Sequence, residues 1–397
     1  MQSDNEGAAA GSERIPTGEK AGDNKSGQGL PLGGRPLSLG RGQLQEKPIF
    51  LRRGAFGDPR INAAIEECVA LAKDPPEDQA APLIAEMIAA VLRMYRDGAS
   101  VADLKLVLAA IKELRYTSRI FKQYQEVPKV AIFGTARASK TDPEYVQAKE
   151  FARRIADRGW MVITGGGPGV MAAGNEGAGS QRSFGLRIRL PSEPGANRAI
   201  LGDPKLLNYK YFFTRKVTFV KEAHAFVLMP GGFGTLDETF ELLTLMQTGR
   251  SDLHPVVLLE PPETRYWEGW MEFLEREVLE RGFIDRDDLD LFDLTHDVED
   301  AVEILERFYR VYHSQRYVNG RLILRLKKQV APEYVSELSR KYAFMLSNGH
   351  IEIVPPTPEE IQDNDFVDLP RLALWFDRKH FSALRKLIDD INRAPVF

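Results

Sequence analysis

The sequence predicts an α/β fold around a buried parallel sheet, and three observations carry the prediction. Between Lys129 and Tyr312, short apolar runs alternate with amphipathic stretches of helix length. Three of those runs end in glycine-rich turns. The runs are apolar throughout rather than alternating, as strands covered on both faces must be. Helices between such strands imply right-handed crossovers, and hence a Rossmann-like, doubly wound parallel sheet.

The elements follow in order. Residues 1–48 are rich in Gly, Ser, Pro and mixed charge and predict a disordered tail, because they cannot bury enough apolar surface to offset ordering. Residues 49–125 predict a helical N-terminal region. Ile61, Ala64, Ile65 and Cys68 share one helical face, as do Ile84, Met87, Ile88 and Val91, and Leu104, Leu108 and Ile111 repeat the spacing. This region reads as a packing or oligomerisation element, with Cys68 in the core. The catalytic-size domain spans 126–315. Its strands are KVAIFG, WMVITGGGPG, FGLRIRL, AHAFVLMPGG and HPVVLLEP, with helices over 142–158, 171–178 and 297–312. A small α+β C-terminal domain over 316–397 follows, with strands at GRLILRLKK, HIEIVPP and PRLALWFD and helices over 332–347 and 380–392.

Bulk properties exclude several function classes. The 397 residues carry a net charge of −4, so no basic balance points to nucleic acid or a membrane surface. One cysteine rules out a disulfide framework and any CxxC metal site. No apolar run reaches the roughly 18 residues of a spanning helix, and the N-terminus lacks a signal-peptide core. A cytoplasmic protein is the expectation.

The three turns are Gly134-Thr135-Ala136-Arg137, Gly165-Gly166-Gly167-Pro168-Gly169 and Pro230-Gly231-Gly232-Phe233-Gly234-Thr235. In a doubly wound sheet all three gather beyond the carboxyl ends of the strands, where ligands bind. Glycines admit an anion to backbone N–H groups, and a following helix N-terminus adds partial positive charge. A phosphate fits there, with Gly134, Thr135, Arg137, Gly166, Gly167, Gly169, Gly231, Gly232, Gly234 and the Thr235 hydroxyl as candidate contacts. The loops match neither GxGxxG nor GxxxxGK[ST], so a mononucleotide or sugar phosphate fits better than a dinucleotide.

Two features keep bland alternatives. Thr235-Leu236-Asp237-Glu238 fits a capping box, with Thr235 as N-cap and Glu238 at the third helical position. Arg215 and Lys216, in YFFTRKVTFV, lie on an amphipathic helix and read either as a solvated face or as the basic partner of the loops. The six histidines, His224, His254, His296, His313, His350 and His380, form no metal-binding spacing, and GxSxG is absent. No metal or cofactor is expected.

GGGPGVMAAGNEGA, LPSEPGAN, YFFTRK and PGGFGTLDE, in that order, resemble the LOG family over roughly 128–312. Its members are cytokinin riboside 5′-monophosphate phosphoribohydrolases and related nucleotide nucleosidases, many formerly labelled lysine decarboxylases. The resemblance implies a Rossmann-like homodimer or higher homo-oligomer that hydrolyses the N-glycosidic bond of a nucleoside 5′-monophosphate, AMP or a related purine nucleotide such as a cytokinin riboside monophosphate. It assigns Arg215 and Glu238 the catalytic positions and the 231–235 loop, with Lys216 nearby, the phosphate. Where the family often has Glu after GGGPGxM, this chain has Ala172. Decarboxylation is disfavoured, since no pyridoxal lysine motif accompanies the loops. The alternative is a non-catalytic nucleotide- or cofactor-binding carrier on the same fold, and the C-terminal domain could serve regulation.

Overall fold

A computed structural model describes residues 56–72, 80–189 and 195–396. The tail expected over 1–48 and residues 190–194 of the LPSEPGAN stretch lie outside the described residues. The chain divides into two units, Met1–Tyr95 and Arg96–Phe397.

In the first unit the expected helices form as α1 (Pro59–Ala72) and α2 (Ala80–Arg96). Their apolar stripes are largely at the surface, however. Ile65 and Ala89 are buried, whereas Ile84, Met87 and Val91 are exposed and Cys68 is an exposed thiol rather than a core residue. Two helices by themselves cannot cover apolar stripes of this width, so most of each stays uncovered among the described residues of this unit.

The second unit opens with α3 (Val101–Phe121), started by a reciprocal Ser100–Asp103 capping box. Its last turn enters the sheet region, where Phe121 stacks on Phe184 at 4.3 Å between ring centroids. Seven parallel strands follow: β1 (Lys129–Phe133), β2 (Met161–Thr164), β3 (Ser183–Ile188), β4 (Leu206–Tyr209), β5 (Ala225–Leu228), β6 (Val256–Leu259) and β7 (Asp293–Thr295). Their spatial order is β4-β3-β2-β1-β5-β6-β7. The sheet therefore winds outward in both directions from β1 and β5, whose shared border is the topological switch point. The helices are α4 (Pro143–Asp157), α5 (Val170–Ala178), α6 (Phe212–Glu222), α7 (Phe233–Gln247), α8 (Tyr266–Phe273) and α9 (Val298–Phe308). Val130 and Ile132 of β1 face one core, shared with α4, α5 and α9, while Ala131 and Phe133 face the other. That two-sided burial is why the strand sequences are continuously apolar. The edge strands β4 and β7 escaped the sequence reading because LLNY and DLT are short and partly polar.

The last seven elements form the α+β part: β8 (Tyr312–Val318), β9 (Arg321–Leu326), α10 (Pro332–Lys341), β10 (Leu346–Val354), α11 (Pro358–Gln362), β11 (Arg371–Phe376) and α12 (Phe381–Arg393). The sheet is antiparallel in the order β10-β11-β9-β8. The helix expected over 332–347 stops at Lys341, because Leu346 is recruited to pair with Phe376 across β10 and β11. Buried Asn392 of α12 accepts from Val311 and Tyr312 N–H at 2.8 and 3.0 Å and donates to Phe308 C=O at 2.6 Å, joining α12 to the α9–β8 corner. Fully buried Glu360 sits between Arg325 and Arg371, accepting from their Nε atoms at 2.9 and 3.1 Å, so the buried charges are paired and hydrogen-bonded. Among the described residues no helix is long and apolar enough to cross a membrane.

Candidate active site

A cleft of about 780 Å³ opens where the loops after β1, β2 and β5 converge, at the switch point of the sheet. Thr135 ties the three loops together. Its N–H donates to Pro230 C=O at 2.9 Å, its C=O accepts from Val170 N–H at 2.9 Å, and its hydroxyl accepts from Arg137 N–H at 3.1 Å. The glycines have two different duties here. A Cβ on Gly231 would stand 2.1 Å from the Thr235 hydroxyl oxygen, and one on Gly169, at φ +67°, would stand 2.3 Å from Thr135 C=O. These two let the loops pack against each other. Gly232 and Gly234 have open space where a Cβ would be, and they line the cleft.

That division predicts opposite outcomes for two alanine substitutions. Gly231→Ala should destabilise the protein by about 1–3 kcal/mol, the usual cost of overpacking, as read by urea denaturation. Gly234→Ala should leave stability intact and only narrow the cleft.

Helix α7 begins earlier than the sequence suggests. Gly232 is the N-cap, with no side-chain cap, and Phe233 is the first helical residue. The expected Thr235–Glu238 capping box is therefore absent: Thr235 is already in the helix, and its C=O accepts from the Thr239 hydroxyl at 2.8 Å. The reason lies in the loop packing. Gly231 abuts the Thr235 side chain, which pulls Thr235 inward where it is buried, and leaves the α7 N-terminus free of a protein cap. Unpaired N–H groups and the positive end of the helix dipole then face the cleft.

Glu238 lies on α7 one turn beyond Gly234, on the same helical face. Its side chain retains only 10% exposure, and Arg215 Nη2 approaches Oε1 at 3.7 Å with 14% exposure of its own. That separation exceeds a hydrogen bond, so burial dominates over pairing. The Glu238 carboxyl is pushed up to about 7, chiefly by loss of hydration, with Arg215 and Lys216 pulling the other way. Arg215 projects from α6 with its guanidinium over the Phe219 ring at 5.5 Å and near Phe212 at 5.9 Å.

Most expected site residues meet in this cleft: Gly134, Thr135, Arg137, Gly167, Arg215, Gly231, Gly232, Gly234, Thr235 and Glu238 all line it. Three do not. Gly166, at φ +71°, turns toward Leu206 and Gly185, and Gly169 is spent on loop packing. Lys216 points away and pairs with Asp237 at 2.9 Å and Glu241 at 2.8 Å, because successive helical residues diverge by about 100° around the axis. Ala172 packs against the core around Val130 and Ala173 rather than lining the cleft.

Sequence reasoning missed the parts that hold the loops. Fully buried Asn175 accepts from the Thr164 hydroxyl at 2.8 Å and from Asn197 Nδ2 at 2.9 Å, and Asn197 Nδ2 also donates to Gly167 C=O at 3.0 Å. They stand in the GNEGA and GAN stretches; for Asn175 a polar residue in an apolar helix was the available signal, while Asn197 lies outside any helix. Tyr266 donates to Gly231 C=O at 2.7 Å and Trp267 Nε1 to Leu228 C=O at 2.9 Å. Nothing in the spacing places α8 over the β5 loop. Phe212 and Phe233, both exposed, add aromatic surface at the rim.

Glu260, Glu268 and His296 bring one ligand atom each within 4.8 Å of one another. The buried Glu260 carboxylate accepts from Trp267 N–H at 2.9 Å, and Glu268 pairs with Arg265 at 2.5 Å. A helix cap and a surface ion pair account for both.

Residues 168–305 match the family model described as possible lysine decarboxylase. Over 169 residues the chain is 27% identical to the cytokinin riboside 5′-monophosphate phosphoribohydrolase of Mycobacterium marinum, covering 42% of this chain and 88% of that protein. A probable cytokinin riboside 5′-monophosphate phosphoribohydrolase of Arabidopsis thaliana is 31% identical over 150 residues, 37% of this chain and 70% of the relative. The pyrimidine/purine nucleotide 5′-monophosphate nucleosidase of Escherichia coli K12 is 29% identical over 135 residues, 32% of this chain and 30% of that protein. The span matched by the family model lies within the parallel-sheet part and takes in the β5 loop with Arg215 and Glu238, and the chain belongs to the LOG family of phosphoribohydrolases and nucleotide nucleosidases.

Proposed function

We propose that the cleft hydrolyses the N-glycosidic bond of nucleoside 5′-monophosphates, with AMP or a related purine nucleotide, cytokinin riboside monophosphate included, as substrate. The observation that carries the reading is the buried Glu238–Arg215 pair one helical turn from an uncapped, glycine-lined N-terminus. The 5′-phosphate sits against Gly232, Phe233 and Gly234 N–H groups at the positive end of α7. Four residues along a helix span about 6 Å, comparable to the reach from a 5′-phosphate to its anomeric carbon. Glu238 thus meets the sugar where positive charge develops.

Departure of the base leaves an oxocarbenium-like sugar, which a nearby carboxylate stabilises and toward which it orients water. The glycosidic electron pair leaves on the base nitrogen, water oxygen bonds to C1′, and one water proton is released to the base side, giving free base and ribose 5-phosphate. Arg215 favours the ionised form of the Glu238 carboxylate against burial and contacts sugar or phosphate oxygens. Phe212 and Phe233 offer the base a stacking surface.

Base release from AMP, GMP, CMP and UMP, followed by chromatography, tests this directly. Adenine and ribose 5-phosphate should appear in equal amounts from AMP. No base from any of the four would overturn the hydrolase reading and leave the carrier alternative, in which a nucleotide is recovered intact from the protein. Ala172, which packs against the core, and the domains flanking the parallel sheet are what motivate that alternative.

A further inference from the structure

A second cavity, of about 840 Å³, lies at the opposite end of the parallel sheet, beside the starts of β5 and β6 and against β8 and β9 of the antiparallel sheet. Its walls are unusually rich in flat nitrogen-bearing or aromatic side chains: His224, His254, His313, Tyr309 and Phe366. Phe366 is held at φ +51°, in the left-handed region a bulky residue seldom adopts, and its ring meets His313 edge-on at 4.6 Å. Backbone strain of this kind persists where surrounding structure enforces it, frequently at ligand sites.

The hydrogen bonds assign the imidazole tautomers. His224 Nδ1 accepts from Lys129 N–H at 3.3 Å, so its proton is on Nε2. His254 Nδ1 lies 3.3 Å from His224 C=O and must carry the proton there, which leaves its Nε2 an acceptor. Burial, with the Lys129 ammonium adding to it, pushes His224 down to about 4, and burial lowers His254 as well, so both rings are neutral. Neither Nε2 has a hydrogen-bond partner among the described residues, so the pair presents one donor and one acceptor.

Apart from Lys327, whose ammonium has no ion-pair partner among the described residues, the charged groups around this cavity are largely engaged. Lys327 donates to Tyr309 C=O at 2.7 Å, Lys221 pairs with Glu222, Glu306 with Arg158, and Asp252 accepts from Gln315 at 3.0 Å. Lys327, whose ammonium meets only a carbonyl, is the one lining lysine without an ion pair among the described residues, and the lining acids Glu126, Asp252 and Glu306 oppose a phosphate dianion. An uncharged flat ring with its own donors and acceptors would find aromatic faces and a complementary imidazole pair.

We propose that this cavity is a binding site for a neutral nitrogen heterocycle of the nucleobase class, separate from the cleft. The proposal does not depend on what the cleft cleaves, because binding is measured directly. Calorimetric titration of the full chain with adenine, hypoxanthine, cytosine and uracil, and in parallel with AMP, tests it. At least one base should saturate a site at millimolar concentration or below. Phe366→Ala should weaken that binding by roughly tenfold, the worth of one base–aromatic contact, and Phe366→Tyr should restore it. His313→Ala provides an independent variant with the same expected direction, and AMP turnover at the cleft should be unchanged in all three. Saturation by none of the bases overturns the site. So does base binding that both Phe366→Ala and His313→Ala leave unchanged, which would place the base in the cleft, or AMP binding that is tighter than base binding and weakened by the same substitutions.

Discussion

Glu238→Gln should lower turnover of AMP by about a hundredfold to a thousandfold, the range seen when one charge-stabilising group is removed from a transition state. The amide keeps the size of the side chain but cannot carry the negative charge that opposes the oxocarbenium-like sugar. Had Glu238 closed a capping box, the same substitution would have been nearly silent, since Gln serves there as well as Glu. The geometry removes that alternative, because α7 starts at Phe233 and Glu238 lies well inside the helix. The folded state should not suffer. Glu238 ionises at about 7 when folded against an ordinary 4.5, so its contribution to stability is fully present below 4.5 and is lost as pH rises through about 7. A glutamine has no such loss. The difference in urea midpoint between variant and parent should therefore move in the variant's favour as pH climbs from 4.5 past 7. Full activity in a folded variant would remove Glu238 from the chemistry.

The second large effect concerns Arg215. If the ionised carboxylate is the working form, kcat/KM for AMP should rise with pH and level off above an apparent midpoint near 7. Arg215 is the leading influence that pulls this midpoint down against burial. Removing it in Arg215→Gln should shift the rising limb to higher pH and reduce kcat/KM at pH 7 by at least about tenfold, because a smaller fraction of Glu238 is then ionised and the sugar or phosphate contact is lost. Lys216→Gln is the matched comparison. Its ammonium is held by Asp237 and Glu241 outside the cleft, so its substitution should move the limb less. A limb that stays in place in Arg215→Gln would mean that Glu238 does not set the pH dependence.

How much of this was legible in advance varies by element. The strands β1, β2, β3, β5 and β6 could be read because burial on both faces leaves an unbroken apolar run, and the glycine turns marked where three of them end. Arg215, Glu238 and the loop glycines were found on motif and resemblance. The strands β4 and β7, the end of α10 and the exposure of the α1 and α2 stripes were not, since each depends on which distant segment arrives to cover it. Lys216 illustrates the limit within a single helix: adjacent to Arg215 in sequence, it is turned to the other side of α6.

The sequence by itself determined the alternation of strands and helices, the three glycine turns at strand ends, and the order of the basic and acidic residues along the chain. Local propensity, periodicity and composition act over a few residues, and these features need nothing more. Only the tertiary structure decided that Glu238 is a buried carboxyl rather than a cap, that Gly231 and Gly169 serve loop packing while Gly232 and Gly234 face the cleft, and that three histidines far apart in sequence line one cavity. Desolvation, close packing and hydrogen-bond geometry are set by neighbours that the fold brings in from elsewhere in the chain, so no local pattern could carry them.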